Sequence, residues 1–181
     1  PLANPAIPPD PHPHQSESIT AWIQHGRRGG GVLPTSSGKS QVPPMAILEV
    51  QRSTLIFAPT IDLMNQWYDL LSKAFAIDVG LLGGGYHEIE DVTIATYDSA
   101  YMHMERLGNR FGLIVFDEVH HLPGEMYSHA AEMCIAPNRL GLTAPPNEPT
   151  AATYCSTRSS APWPTNAAFA NFGRIPRRIP R

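Results

Sequence analysis

One stretch constrains the fold of this chain more than any other: an apolar run that ends in two carboxylates. Leu113 to Phe116 are four consecutive apolar residues, and Asp117 and Glu118 follow directly. Such a run is typical of a strand buried on both faces, as in a parallel sheet. The carboxylates would then lie at the carboxyl end of that strand, where open α/β sheets bind ligands. An acidic pair is costly there unless a cation compensates it, and magnesium carrying nucleotide phosphates is the obvious candidate.

A phosphate-binding loop is expected upstream, and the stretch from Gly31 to Ser40 has its features. Backbone amides would surround the phosphates, Lys39 would reach the terminal ones, and the Ser40 hydroxyl would bind magnesium. The remaining nucleotide-binding candidates form the turn itself: Thr35, Ser36, Ser37 and Gly38. The full pattern is not met, because Leu33 stands where its first glycine would be. A surface turn and an unrelated acidic pair are the alternative, but two motifs that agree in order and context favour nucleotide binding.

These motifs together resemble a known family. Asp117-Glu118-Val119-His120 forms a D-E-x-H box, and with the phosphate loop before it and Gly141-Leu142-Thr143-Ala144 after it the chain resembles the first motor domain of superfamily two helicases. The likeness is closest to XPB-type DNA helicases and extends from about residue 13 to 144. Three further stretches resemble motifs of that branch: 58–67, 83–88 and 95–100. The implied fold is α/β, a RecA-like P-loop NTPase domain with a parallel sheet flanked by helices.

The resemblance implies ATP and Mg²⁺ as cofactors and gives roles to the residues that match. Glu118 would act as the general base on the attacking water, Asp117 would hold magnesium together with Ser40, and Lys39 would bind the phosphates. Gln15 matches a glutamine that recognises adenine, although a glutamine at a helix start is the equally weighted alternative. Ser36 departs from the glycine that the family has there.

The resemblance implies DNA as the partner of this chain. It also implies a second motor domain, which this chain is expected to lack. His120 would relay the nucleotide state to Thr143 and to that domain, and Ala144 is a third residue with a coupling role. Contacts with nucleic acid are implied for five residues: Pro59, Thr60, Gly84, Thr96 and Tyr97. Trp67 is interpreted as a core residue only. The chain alone is therefore not expected to unwind DNA.

Alternating periodicities predict alternating strands and helices. We predict strands at 29–33, 53–58, 79–82, 92–96, 111–116 and 139–143. We predict helices at 15–25, from 38 or 39 onwards, and at 61–74, 99–107 and 127–135. Pro43 and Pro44 would fall inside the second helix, at a cost of about 3 kcal/mol or more in a helix interior. That helix should therefore be kinked or start late, and nucleotide binding should be weakened.

Proline is concentrated at both ends of the chain, which indicates a folded middle with irregular flanks. With the extent that the resemblance implies, the parts are a Pro-rich, disordered lead-in at 1–13, the motor domain at 14–144 and a tail at 145–181. The family would continue Thr143-Ala144 with Thr-Pro-Glu-Arg, whereas this chain has Pro145-Pro146-Asn147-Glu148. If 145–154 are written with suitable codons and read from the third base, the translation begins Pro-Glu-Arg, as the family sequence does after its threonine. The shifted frame then continues without interruption. We therefore expect a frameshifted, disordered tail without site residues, Cys155 included.

Charge and cysteine content exclude several classes of protein. The net charge of −3 provides no basic field to attract nucleic acid, and two cysteines form no disulfide framework. No stretch is apolar enough to span a membrane and no signal peptide is recognised, so we expect a cytoplasmic protein. None of the eight histidines lies in a zinc-binding pattern. Two alternatives remain, an ATP-dependent DNA motor domain and a catalytically silent remnant, while a small P-loop kinase or GTPase would leave the D-E-x-H box unexplained.

Overall fold

The computed structural model of the chain describes residues 11–32, 39–118, 133–143 and 169–170. Helices α1 to α4 span Pro13–Gln24, Val42–Val50, Ile61–Phe75 and Tyr97–Leu107, and a 3-10 turn at Lys39–Gln41 precedes α2. Strands β1 to β8 span Arg28–Val32, Thr54–Ala58, Val79–Gly83, Tyr86–His87, Val92–Thr96, Leu113–Phe116, Asn138–Thr143 and Phe169–Ala170. Among the described helices the longest, α3, has 15 residues, fewer than the roughly 20 that cross a bilayer.

The strands form one mostly parallel sheet in the order β4-β3-β5-β2-β6-β7-β1-β8. All neighbouring pairs from β3 to β1 are parallel, and β4 and β8 add to the two edges in antiparallel orientation. The expectation of a parallel α/β sheet flanked by helices is confirmed. The short strand β4 was not anticipated, because two residues carry no periodicity.

Parallel pairing aligns the carboxyl ends of the strands along one edge of the sheet. The Cα partners near that edge are Ala58 with Thr96, Phe57 with Phe116, Phe116 with Gly141, and Val32 with Thr143. Residues that follow these strands therefore lie side by side, although they are far apart in sequence. This edge carries the candidate site.

Two apolar cores cover the two faces of the sheet. Helices α1, α2 and α3 pack on one face, where Ile56 and Ala58 of β2 point, and α4 packs on the other, where Leu55 and Phe57 point. Burying a large apolar side chain contributes about 1.5–3 kcal/mol, so consecutive buried residues on both faces stabilise β2 as a central strand. On the first face the fully buried Trp22 donates an Nε1 hydrogen bond of 2.8 Å to the Arg139 carbonyl.

The start of α2 corrects the prediction about its prolines. The helix begins at Val42, after the 3-10 turn, so Pro43 and Pro44 occupy its first turn. The first amides of a helix have no partner within the helix, and proline there costs little. The prediction of a late start is confirmed, but the prediction that the prolines lie in the helix interior is wrong. Weakened nucleotide binding stays a prediction, because the late start leaves Lys39 and Ser40 in the 3-10 turn before the helix, and the two prolines offer no amide to an anion.

Three predictions fall mostly outside the described residues. In the lead-in, residues 1–10 are not described, and α1 begins at Pro13 rather than Gln15. In the predicted helix at 127–135, Met133 is helical, but Cys134 to Ala136 are not. In the tail only Phe169–Ala170 is described, as the strand β8 against β1. These two residues are ordered as a strand. For the other residues of the tail, disorder stays a prediction.

Candidate active site

The predicted site residues follow or end neighbouring strands at the shared edge. Asp117 and Glu118 come directly after β6, Pro59 and Thr60 after β2, and Gly84 after β3; Thr96 and Thr143 end β5 and β7. Helices α3 and α4 begin at this edge, at Ile61 and Tyr97. The strand order β3-β5-β2-β6-β7 brings these positions together in one row.

Asp117 is the most firmly held residue of this row. Its side chain is buried, with 3% exposed. Oδ2 accepts a 2.8 Å hydrogen bond from Trp67 Nε1, and Oδ1 accepts one of 3.0 Å from the Glu118 amide. The Asp117 carbonyl accepts a 2.8 Å bond from the Tyr97 hydroxyl, and its amide donates to the Phe57 carbonyl at 3.0 Å. Both the carboxylate and the main chain are therefore fixed.

Glu118 has a left-handed backbone conformation, with φ of 50°. This conformation is uncommon for a residue with a side chain and costs about 1–3 kcal/mol, so the surrounding structure must maintain it. The chain turns there directly after β6, and the side chain is partly exposed. A strained residue beside a buried carboxylate is a feature of functional sites.

Two aromatic residues contact Asp117, and the sequence interpretation missed this role for both. Trp67 is buried in the core, as predicted, yet its indole also bonds the carboxylate. Tyr97 was predicted to contact nucleic acid; its side chain is buried, and its ring stacks on Phe57 with centroids 5.6 Å apart. A signal existed, because a buried indole or phenol usually requires a hydrogen-bond partner, but the sequence does not say which one.

The predicted nucleic-acid contacts cluster at the starts of α3 and α4. Thr60 caps α3 by accepting from the Leu63 amide at 3.2 Å, and Thr96 caps α4 by accepting from the Ser99 amide at 3.4 Å. The glycine loop after β3 lies against both helices. A Cβ on Gly83 would meet Thr96 Oγ1 at 2.8 Å, and a Cβ on Gly84 would meet Ile61 at 3.4 Å.

The stretch that is predicted to form the phosphate loop is described only at its two ends. It leaves β1 at Val32, whose partner is Thr143 at the site edge, and the chain is described again from Lys39. Lys39 and Ser40 belong to the 3-10 turn before α2, and Ser40 is partly buried. The other predicted residues of this loop, Thr35, Ser36, Ser37 and Gly38, lie outside the described residues, as do His120 and Ala144.

Gln15, the predicted adenine contact, is 2% exposed and takes part in a capping box at the start of α1. Its Oε1 accepts a 3.0 Å hydrogen bond from the His12 amide. This contact matches the alternative interpretation, a glutamine that stabilises a helix start. Adenine recognition by Gln15 stays a prediction.

A buried polar cluster lies at the opposite end of β7 and is structural. The Arg139 guanidinium donates to the carbonyls of Cys134 and Ala136, and the Cys134 thiol donates to the Gly108 carbonyl at 3.2 Å. Burial raises the pKa of the Cys134 thiol and lowers the pKa of Arg139. No group of three or more His, Cys, Asp or Glu residues in the described ranges is arranged to hold a metal ion.

The topology and the position of the site define a RecA-like α/β domain. The UvsW helicase of bacteriophage T4 has this fold, with a TM-score of 0.64 at 22% identity over 78% of this chain and 55% of that one. The SWI2/SNF2 ATPase core of Sulfolobus solfataricus aligns with a TM-score of 0.62 at 19% identity, over 83% of this chain and 36% of that one. At such identities the likeness shows the fold alone.

Sequence comparison gives the family. Residues 9–148 match the family described as type III restriction enzyme, res subunit, and the chain belongs to that family. The DNA 3'-5' translocase XPB2 of Sulfurisphaera tokodaii is 47% identical over 133 residues, which cover 74% of this chain and 30% of that protein. The DNA 3'-5' helicase XPB of Kineococcus radiotolerans is 37% identical over 143 residues, 73% of this chain and 25% of that protein.

These relatives confirm the resemblance to XPB-type helicases that the motifs indicated. The chain spans less than a third of the length of either relative.

Proposed function

We propose that this chain is the ATP-binding motor domain of a DNA helicase or translocase. In the complete protein it would couple Mg²⁺-dependent ATP hydrolysis to movement along DNA, together with a second motor domain. The observation that carries the proposal is the placement of Asp117. Its buried carboxylate is fixed at the carboxyl end of β6, at the same edge where β1 leads into the phosphate loop. Since the proposed substrate is DNA, we also propose an intracellular, cytoplasmic location.

The residues around Asp117 fit a magnesium–nucleotide complex. A carboxylate has about four lone-pair sites, so donors from Trp67 and Glu118 are compatible with magnesium bound through water. Magnesium usually takes one or two protein carboxylates and completes its shell with water and phosphate oxygens, and the Ser40 hydroxyl would be a second ligand. When bound with ATP, the ion neutralises charge that develops on the transferred phosphoryl group.

Two other side chains would carry the remaining chemistry. Lys39 would bind the nucleotide phosphates from the 3-10 turn that precedes α2. Glu118 would orient the attacking water and accept its proton, a general-base role. Glu118, with its left-handed conformation, directly follows Asp117; Asp117 is buried and Glu118 is half-buried, so the two neighbouring carboxylates have different surroundings.

DNA would bind through backbone amides rather than through basic side chains. The amino ends of α3 and α4, next to Thr60 and Thr96, offer amides at the site edge, and the exposed Gly84 lies beside them. Helix amino ends suit phosphate, and phosphate contacts position a protein on DNA. The net charge of −3 is compatible with this mode. His120, Thr143 and Ala144 would couple the nucleotide state to the second motor domain.

ATP turnover by the purified chain, with and without single-stranded DNA, tests the proposal. We expect Lys39→Ala and Glu118→Gln each to abolish turnover, because one removes the phosphate contact and the other the base. Matched controls are Lys73→Ala on α3 and Glu105→Gln on α4, both exposed, which should leave turnover unchanged. Unchanged turnover in either site variant would contradict the role of the residue that it replaces. Nucleotide binding without any turnover would instead support a catalytically silent remnant.

A further inference from the structure

Asp117 accepts hydrogen bonds from residues of two helices, and the nucleotide chemistry itself does not require either bond. The Trp67 indole, on α3, donates to Oδ2 at 2.8 Å, and the Tyr97 hydroxyl, on α4, donates to the main-chain carbonyl at 2.8 Å. Both aromatic side chains are buried, with 5% exposed each. The two donors approach from opposite faces of the sheet, because Trp67 belongs to the core under α3 and Tyr97 to the core under α4.

Each contact restricts a different degree of freedom of Asp117. The indole N–H donates to Oδ2 and so fixes the rotation of the carboxylate oxygens. The phenol holds the main chain at the point where β6 ends. Residues that orient a metal-binding carboxylate in this way typically change metal affinity by about 10- to 100-fold when they are removed.

The same two helices begin at the proposed DNA surface. Trp67 lies seven positions after the cap residue Thr60, which is about 10 Å along α3 at a rise of 1.5 Å per residue. Tyr97 directly follows the cap residue Thr96. A displacement of the start of α3 by a bound phosphate would therefore reach the Asp117 carboxylate, and a displacement of the start of α4 would reach the Asp117 main chain, each through one rigid element.

We propose that Trp67 and Tyr97 are positioning residues: they orient Asp117 for the magnesium–nucleotide complex and connect that orientation to the DNA-facing ends of α3 and α4. The proposal rests on the proposed function of the site. Both side chains are buried and bonded to Asp117, so we assign neither a direct contact with nucleotide or DNA. Their effect is on affinity and on coupling, through Asp117.

Binding of a fluorescent ADP analogue to the full chain, with magnesium or with EDTA, tests the positioning role without requiring turnover. We expect Trp67→Phe to weaken the magnesium-dependent affinity by about 10- to 100-fold, and to leave the affinity in EDTA unchanged. Tyr97→Phe, which removes a single oxygen, should weaken it by about five-fold, since a neutral hydrogen bond is weaker than a charge-assisted one. Tyr68→Phe, on the exposed side of α3, is the matched control and should have no effect.

Two further measurements test whether the effect passes through Asp117. In an Asp117→Asn background, Trp67→Phe should cause no additional loss, because residues that act through one contact are not additive. A deoxythymidine oligomer should change the magnesium–ADP affinity of the unsubstituted chain, and this coupling should disappear in Trp67→Phe. Thermal melting of each variant checks that it is folded; if Trp67→Phe does not fold, Tyr97→Phe carries the test.

The outcomes separate this inference from the proposed function. Magnesium-dependent binding that is equal in the unsubstituted chain, Trp67→Phe and Tyr97→Phe would overturn the positioning role and leave the proposed function standing. Losses that persist in EDTA, or that add fully to Asp117→Asn, would also overturn it. If the unsubstituted chain binds no magnesium nucleotide, the proposed function fails and the inference fails with it.

Discussion

Gly83, at the end of β3, offers a quantitative test of how the glycine loop fits against α4. Its φ is 139°, a conformation that side-chain-bearing residues rarely adopt, and an added Cβ would stand 2.8 Å from Thr96 Oγ1 and 3.2 Å from Ser99 Oγ. Thr96 and Ser99 are the cap of α4 and are bonded to each other at 2.9 Å. Gly85, two residues on, has φ of 93° and nothing within 4 Å of an added Cβ.

Alanine at the two glycines should therefore have unequal costs. Each substitution forces an unfavourable backbone conformation, at about 1–3 kcal/mol. Gly83→Ala adds a steric conflict that displaces Thr96 or Ser99, for about 1–3 kcal/mol more, the usual cost of overpacking. We expect the free energy of unfolding to fall by about 2–6 kcal/mol in Gly83→Ala and by about 1–3 kcal/mol in Gly85→Ala.

Urea unfolding followed by circular dichroism measures both variants against the unsubstituted chain. Fluorescence anisotropy with a single-stranded oligonucleotide then shows whether moving the α4 cap weakens DNA binding in Gly83→Ala more than in Gly85→Ala. The reasoning is refuted if the two variants lose equal stability, because the contact with Thr96 would then contribute nothing.

Two other predictions follow from the corrected α2 and from the buried thiol. Pro43→Ala should change the free energy of unfolding by less than about 1 kcal/mol, because proline in a first helical turn is unstrained. If urea unfolding shows that the variant is more stable by about 3 kcal/mol, Pro43 is strained as a proline in a helix interior would be. Burial raises the pKa of the Cys134 thiol above its ordinary 9.0, so above about pH 9 the unfolded chain loses a proton that the folded chain keeps. Stability should then fall as pH rises above about 9. Urea titrations should show a smaller fall in Cys134→Ala than in the unsubstituted chain, and the same fall in Cys155→Ala as in the unsubstituted chain; equal falls in all three proteins would contradict the thiol's contribution.

The order of strands and helices could be predicted from the sequence alone. The apolar run before Asp117 and the spacing of Ile61, Met64 and Trp67 are local patterns, and the observed elements follow them to within about two residues at most ends. The phosphate-loop motif predicts a helix start at 38 or 39, with both prolines inside the helix, whereas α2 begins at Val42. Tyr86–His87 was missed because two residues hold no period.

The sequence by itself also determined which family the chain belongs to, and it predicted which edge of the sheet carries the candidate site, because motifs at strand ends are local and parallel strands end together. Only the tertiary structure decided what holds the site in place. Trp67 and Asp117 are 50 positions apart in the chain, and Tyr97 and Asp117 are 20 apart. Nothing in the spacing of these residues specifies a hydrogen bond, which depends on how α3 and α4 pack on the two faces of the sheet. The close approach of Gly83 to Thr96 has the same origin, because neighbouring strands place residues together that the chain keeps apart.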